Sequence, residues 1–101
     1  MITITTTIQR EWLREIVAGR KRVEYREIKP YWDRRLVDVP RPFLLRLING
    51  MTANAPEVTV RIDRVVRRES VGEYRLYIGA VVRYRNWDKR LEQPALPKRS
   101  R

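Results

Sequence analysis

The sequence contains no cysteine and no histidine. Without thiols there is no disulfide framework and no thiolate metal site. Without imidazole, the usual catalytic base near neutral pH and the commonest zinc ligand are also missing. No metal and no cofactor is therefore expected, and any acid–base or nucleophilic chemistry falls to Glu, Asp, Lys, Ser, Thr or Tyr. Acidic residues are scarce, 12 against 23 Lys and Arg, for a formal net charge of +11. No apolar run approaches the ~18–20 residues that cross a bilayer. The first residues lack the basic segment and apolar core of a secretory leader. A cytoplasmic protein without a membrane partner is the expectation.

What is present is a charged chain of one-domain length. Its 101 residues are 43% hydrophobic and 35% charged, enough for a modest core under an ionic surface. Only Lys21, Lys29, Lys89 and Lys98 are lysines, so 19 of the 23 basic residues are arginine. Arginine keeps its charge, grips phosphate through a flat fork and stacks on bases. That composition points first to a polyanion such as RNA or DNA. Arginine-favouring codon usage combined with solubility is the plainer reading beside it.

Along the chain, "MITITTTI" alternates β-branched residues as a strand does. Ile8, Trp12, Ile16 and Val17 then recur at helical spacing, predicting an amphipathic helix over 8–18 with Trp12 and Ile16 facing the core. Thr6 and Gln9 have the spacing of a capping box, and Gly19 suits a left-handed helix end. "RVEYREI" reads as a second strand, with Val23 and Tyr25 on one face and Glu24, Arg26 and Ile28 on the other. Its alternation suggests that Tyr25 is a core residue. "YWDRRL" after Pro30 reads as a short helix.

Three more strands follow: "PFLLRLING", then "EVTVRIDRVVRRESV" with a bend near Val65 and Val66, then "EYRLYIGAVVRYR" with Gly79 at a bulge or bend. On the last of these, Arg75, Tyr77, Gly79, Val81, Arg83 and Arg85 share strand parity and would make a basic edge. Residues 1–90 are expected to form a single domain and 91–101 a flexible basic tail. The fold class expected is α+β, mainly β: a small, mostly antiparallel, partly open barrel plugged by one main helix, with a short second helix.

"GRKRVEYR", residues 19–26, is the candidate site. Glu24 and Arg26 lie two apart on a strand, so they project from one face about 6.5–7 Å apart. Lys21 has the opposite parity and joins them only if the chain still turns at 20–22. A lysine, a carboxylate and an arginine at a barrel mouth suit an anionic or amide-bearing ligand. The alternative is a solvated ion pair on a strand surface.

Gly19, Lys21, Glu24 and Arg26 fit the pattern G-x-K-x-x-E-x-R. With the flanking "EWLREIVAGRKRVEYREIKPYWDRRL" and "RLINGMTANAPEVTVRIDRV", the chain resembles small bacterial and phage members of the ASCH family, of the PUA-like superfamily. The resemblance covers residues 8–66. It implies a PUA-like pseudobarrel, a mixed or antiparallel β-barrel with the motif lining a cleft between helix and sheet. It also implies binding of RNA or a modified nucleoside. Some family members resemble ribonucleases, and others remove acyl groups from N4 of acylcytidine. The deacylases use the motif lysine, a threonine at the motif's acidic position and a glutamate from the second half of the chain. Here the threonine position holds Glu24, so the hydroxyl is missing; Glu69 and Glu73 are the nearest candidates for the later glutamate.

Two functions therefore stand. The first is an RNA- or nucleotide-binding domain using Lys21, Glu24 and Arg26, together with Tyr31, Trp32, Arg34, Arg35 and Asn54. The second is a small hydrolase, ribonuclease-like or N4-acylcytidine amidohydrolase-like, with Lys21 and Glu24 as the catalytic acid/base pair. A basic surface meeting an acidic protein partner ranks last, because no heptad marks a partner helix. Oligomeric state is left open by the sequence.

Overall fold

A computed structural model of the chain describes residues 1–96. Along them run β1 (Thr3–Thr7), α1 (Arg10–Val17), β2 (Val23–Glu27), α2 (Pro30–Leu36), β3 (Phe43–Ile48) and β4 (Glu57–Arg68). A 3-10 turn at Glu69–Val71, β5 (Glu73–Arg85), β6 (Trp87–Asp88) and β7 (Gln93–Pro94) follow. Five strands form one sheet in the order β1-β3-β4-β5-β2, with β1 parallel to β3 and the other neighbours antiparallel. The sheet curls into a half-barrel, so the architecture is α+β and mainly β. Among the described residues no helix is long and apolar enough to cross a membrane.

Alternation determines which face is buried. Phe43, Leu45 and Leu47 on β3 and Val58, Val60 and Ile62 on β4 are fully buried on the concave side. Leu44, Arg46 and Ile48, between the β3 core positions, point to the convex side. α1 packs against β4 and β5 and closes the core with Leu13, Ile16 and Val17. β1 and β2 are the two sheet edges, and α1 connects them. At one end the edges approach each other: the Arg26 guanidinium on β2 donates to the Thr7 carbonyl on β1 at 2.8 Å.

Several sequence expectations shift. α1 begins at Arg10 because Thr6 stays in β1 and Ile8 donates its amide to the Ile48 carbonyl beside β3. Gln9 is the N-cap and makes no side-chain cap bond, so no capping box forms. Gly19 does end α1 with a left-handed φ of 81°. Trp12, expected in the core, is 44% exposed. The buried stripe is Leu13, Ile16 and Val17, at i, i+3 and i+4; Trp12 precedes it and lies on its flank. Tyr25, read as core, is 49% exposed, because β2 turns Glu24 and Arg26 inward opposite the buried Leu76 and Tyr74.

The pairing of β4 with β5 is irregular between Thr59 and Arg64, earlier than the expected bend at Val65 and Val66. Gly79 sits at this irregularity: a Cβ there would lie 1.8 Å from Asp63 Oδ2. The shifts break the simple parity of β5. Val81 faces the concave side opposite buried Val60, whereas Arg83 and Arg85 return to the convex side opposite Thr59 and Glu57. On that side Arg46 forks onto Glu57 at 2.9 and 2.8 Å and holds this carboxyl below the usual range. After β5 the chain pairs β6 with β7, and Arg20 bridges Glu15 to Glu92. Residues 97–101 of the expected tail lie outside the described residues.

α2 follows Pro30 as expected and is tied to the β4–β5 hairpin through Asp33. That carboxylate accepts the Tyr74 hydroxyl and, at 3.2 Å, Arg67 Nε. The Tyr74 bond, then the Arg67 bond, hold Asp33 below its ordinary value. Tyr74 itself is pushed up, first by burial and then by its bond to Asp33. The Asp33 contribution to stability is therefore present above about pH 4 and lost as pH falls through its lower folded value. Tyr74→Phe removes the leading cause. We expect a higher Asp33 titration midpoint by carboxyl NMR and a flatter loss of stability below about pH 4. An unmoved midpoint would refute this account of the network.

Candidate nucleotide-binding cleft

An open cleft of about 930 Å³ lies where β1 ends, between the flank of α1, the 19–22 turn and β2. Its walls are built by helix termination. After Gly19, the amides of Arg20 and Lys21 both return to the Glu15 carbonyl at 3.0 Å. This wrap brings Lys21 to the side of β2 on which Glu24 and Arg26 point, despite its opposite parity.

The three motif side chains are in direct contact. Lys21 Nζ lies 3.3 Å from Glu24 Oε1 and donates to the Val23 carbonyl at 2.6 Å. Arg26 donates to Glu24 Oε2 through Nε at 3.0 Å and Nη2 at 2.5 Å. Glu24 is only 5% exposed, so its carboxylate is buried between two cations, each of its oxygens engaged by one. Burying a lone carboxylate is prohibitive; two paired cations make it tolerable and leave the group one positive charge in excess.

Aromatic rings complete the cleft. Lys21 Nζ lies 5.4 Å from the Trp12 ring centre and 4.9 Å from that of Tyr25, within cation–π range of both. Both rings are also open to solvent and line the cleft. Beneath, Arg26 sits over buried Trp32 with its guanidinium carbon 5.4 Å from the ring centre. Trp32 thus supports the arginine from below.

The other expected site residues divide. Tyr31 is exposed, meets Trp32 edge-on and is stacked by Arg35, whose guanidinium carbon is 3.5 Å from the Tyr31 ring centre. Tyr31 lines a second, smaller cleft of about 470 Å³ with Thr5, Thr6, Thr7, Met51 and Thr52. Arg34 is exposed on α2, and Asn54 is exposed in the loop before β4; neither lines the two clefts. Glu69 pairs with Arg67, and Glu73 lies 3.3 Å from Arg75, so neither reaches the cleft. The acidic residues that do line it are Glu15, Glu24 and Glu27.

Three contributors escaped the sequence reading. Tyr25 was legible only by allowing the polar face of β2 to point inward. Trp12 was legible as the residue flanking the Leu13, Ile16, Val17 stripe. Thr7, whose carbonyl anchors Arg26, carries no local signal because its role depends on curling of the sheet. Comparison of the chain with protein-family models, curated proteins and solved structures finds no match.

Proposed function

We propose that the cleft binds a nucleotide of single-stranded RNA, and that the chain is an ASCH-type domain whose half-barrel is a PUA-like pseudobarrel. The observation that carries this reading is the contact of Lys21, Glu24 and Arg26 beneath the exposed rings of Trp12 and Tyr25. Unpaired bases stack on such rings, and cationic side chains beside them hold phosphate. Glu24 fixes the two cations in place beneath the rings. The G-x-K-x-x-E-x-R spacing and the charge of +11 point the same way.

The test is fluorescence polarisation with a short labelled single-stranded RNA at low salt. Lys21→Ala or Arg26→Ala should weaken binding about tenfold or more and lower the salt slope by about one. Unchanged affinity in both folded variants would count against the site. Incubation with N4-acetylcytidine or RNA distinguishes the hydrolase reading: product that disappears in Lys21→Ala would replace binding with catalysis.

A further inference from the structure

The two clefts adjoin at a shared residue. Thr7 lines both, and the Arg26–Thr7 hydrogen bond lies at their junction. Building on the nucleotide reading of the larger cleft, we infer that the pair forms one two-chamber groove for consecutive nucleotides of a single RNA strand, with Arg26 at the linking phosphate and the second nucleoside against Tyr31.

Arg26 has the hydrogen-bonding capacity for this position. Its Nε and Nη2 are committed to Glu24 and Thr7, which fix the plane of the guanidinium. Among the described residues, Nη1 makes no hydrogen bond, leaving its two N–H groups for a phosphate oxygen. Both chambers fall within the ~300–1,000 Å³ range of small-ligand sites, so each admits one nucleoside.

The second chamber also has the chemistry of a base platform. Tyr31 is 40% exposed, and Arg35 both stacks on its ring and donates to its backbone carbonyl at 3.0 Å. A flat cation joined to an aromatic ring is a surface on which unpaired bases lie. Thr52 adds a hydroxyl at the wall, and Met51, 94% exposed, offers an adaptable apolar rim. Among the described residues no carboxylate lines this chamber to repel a strand carrying one negative charge per link.

The experiment compares the methyl phosphodiester of cytidine 3′-phosphate with the dinucleotide CpC by isothermal titration calorimetry on the full chain. With the methyl diester as the reference, both ligands carry a singly charged phosphodiester on the 3′ oxygen, so a difference reports the second nucleoside. CpC should bind about tenfold or more tightly. In Tyr31→Ala, and separately in Met51→Glu at a fully exposed position, the CpC to methyl diester affinity ratio should fall to about one. Equal affinity of the two ligands for the native chain would overturn the two-chamber groove while leaving the single-nucleotide cleft standing. A ratio unmoved by either variant would also overturn it, because the second nucleoside would lie elsewhere. Failure of both ligands to bind would remove the nucleotide reading and this inference together.

Discussion

Glu24→Ala should destabilise the domain by about 3–5 kcal/mol, the cost of removing one partner from a buried ion pair. The Glu24 side chain is 6% exposed, and its partners Lys21 and Arg26 are 15% and 18% exposed. Removing the carboxylate strands two cations with little access to water. Glu24→Gln should also be costly: an amide offers one acceptor oxygen, and its NH2 must face the second cation. The comparison is Glu27→Ala on the same strand, where the pair with Lys29 is exposed on both sides and the change should stay within about 0.5 kcal/mol. Urea midpoints at constant m measure both. A Glu24→Ala cost no larger than that of Glu27→Ala would mean the triad is solvated and the cleft floor is wrong.

The triad is a poor way to gain stability. Replacing a buried ion cluster with apolar groups of similar volume is often neutral or stabilising. The triple variant Lys21→Met, Glu24→Leu, Arg26→Met should accordingly fold at least as stably as the single Glu24→Ala and bind no nucleotide. A charged floor that an apolar one could replace needs a reason other than folding, and the open cleft above it supplies one.

The same inversion explains what could be read from the sequence. Regular elements away from the site were legible because local pattern and tertiary environment agree there. β3 alternates cleanly, Pro30 starts α2, and Gly19 ends α1. The convergence of Lys21, Glu24 and Arg26 was also legible, since it needs only the turn at 19–22. At β2 the rule that apolar residues face inward points the wrong way. This edge strand borders the open side of the half-barrel, so the interior at Glu24 is the cleft floor. The alternation of β2 therefore points Tyr25 to the core. The irregularity at Gly79 is legible from the glycine itself, but those at Asp63 and Val82 are opaque, because a one-residue slip in pairing leaves no local sign there.

Leu13 and Trp12 are adjacent on α1, and their alanine variants should fail in opposite ways. Leu13 is fully buried against the sheet, so Leu13→Ala loses its transfer free energy and leaves a cavity, about 3–5 kcal/mol in total. For a domain of this size, whose total stability is about 5–15 kcal/mol, that is enough to unfold a substantial fraction under mild denaturant. Trp12 has one side already in water. Its truncation opens onto the cleft, where solvent fills the space, and the lost apolar contact costs about 1–2 kcal/mol. Its effect should instead appear in binding. A stacked base is worth about 1–3 kcal/mol, so Trp12→Ala should weaken RNA affinity about 5- to 150-fold with the ion triad untouched. Leu13→Ala, assayed where it remains folded, should bind normally. The distinction needs a denaturation curve and a binding isotherm on each variant. If Trp12→Ala proves the more destabilising and leaves affinity intact, the indole is part of the core and the cleft loses its stacking wall.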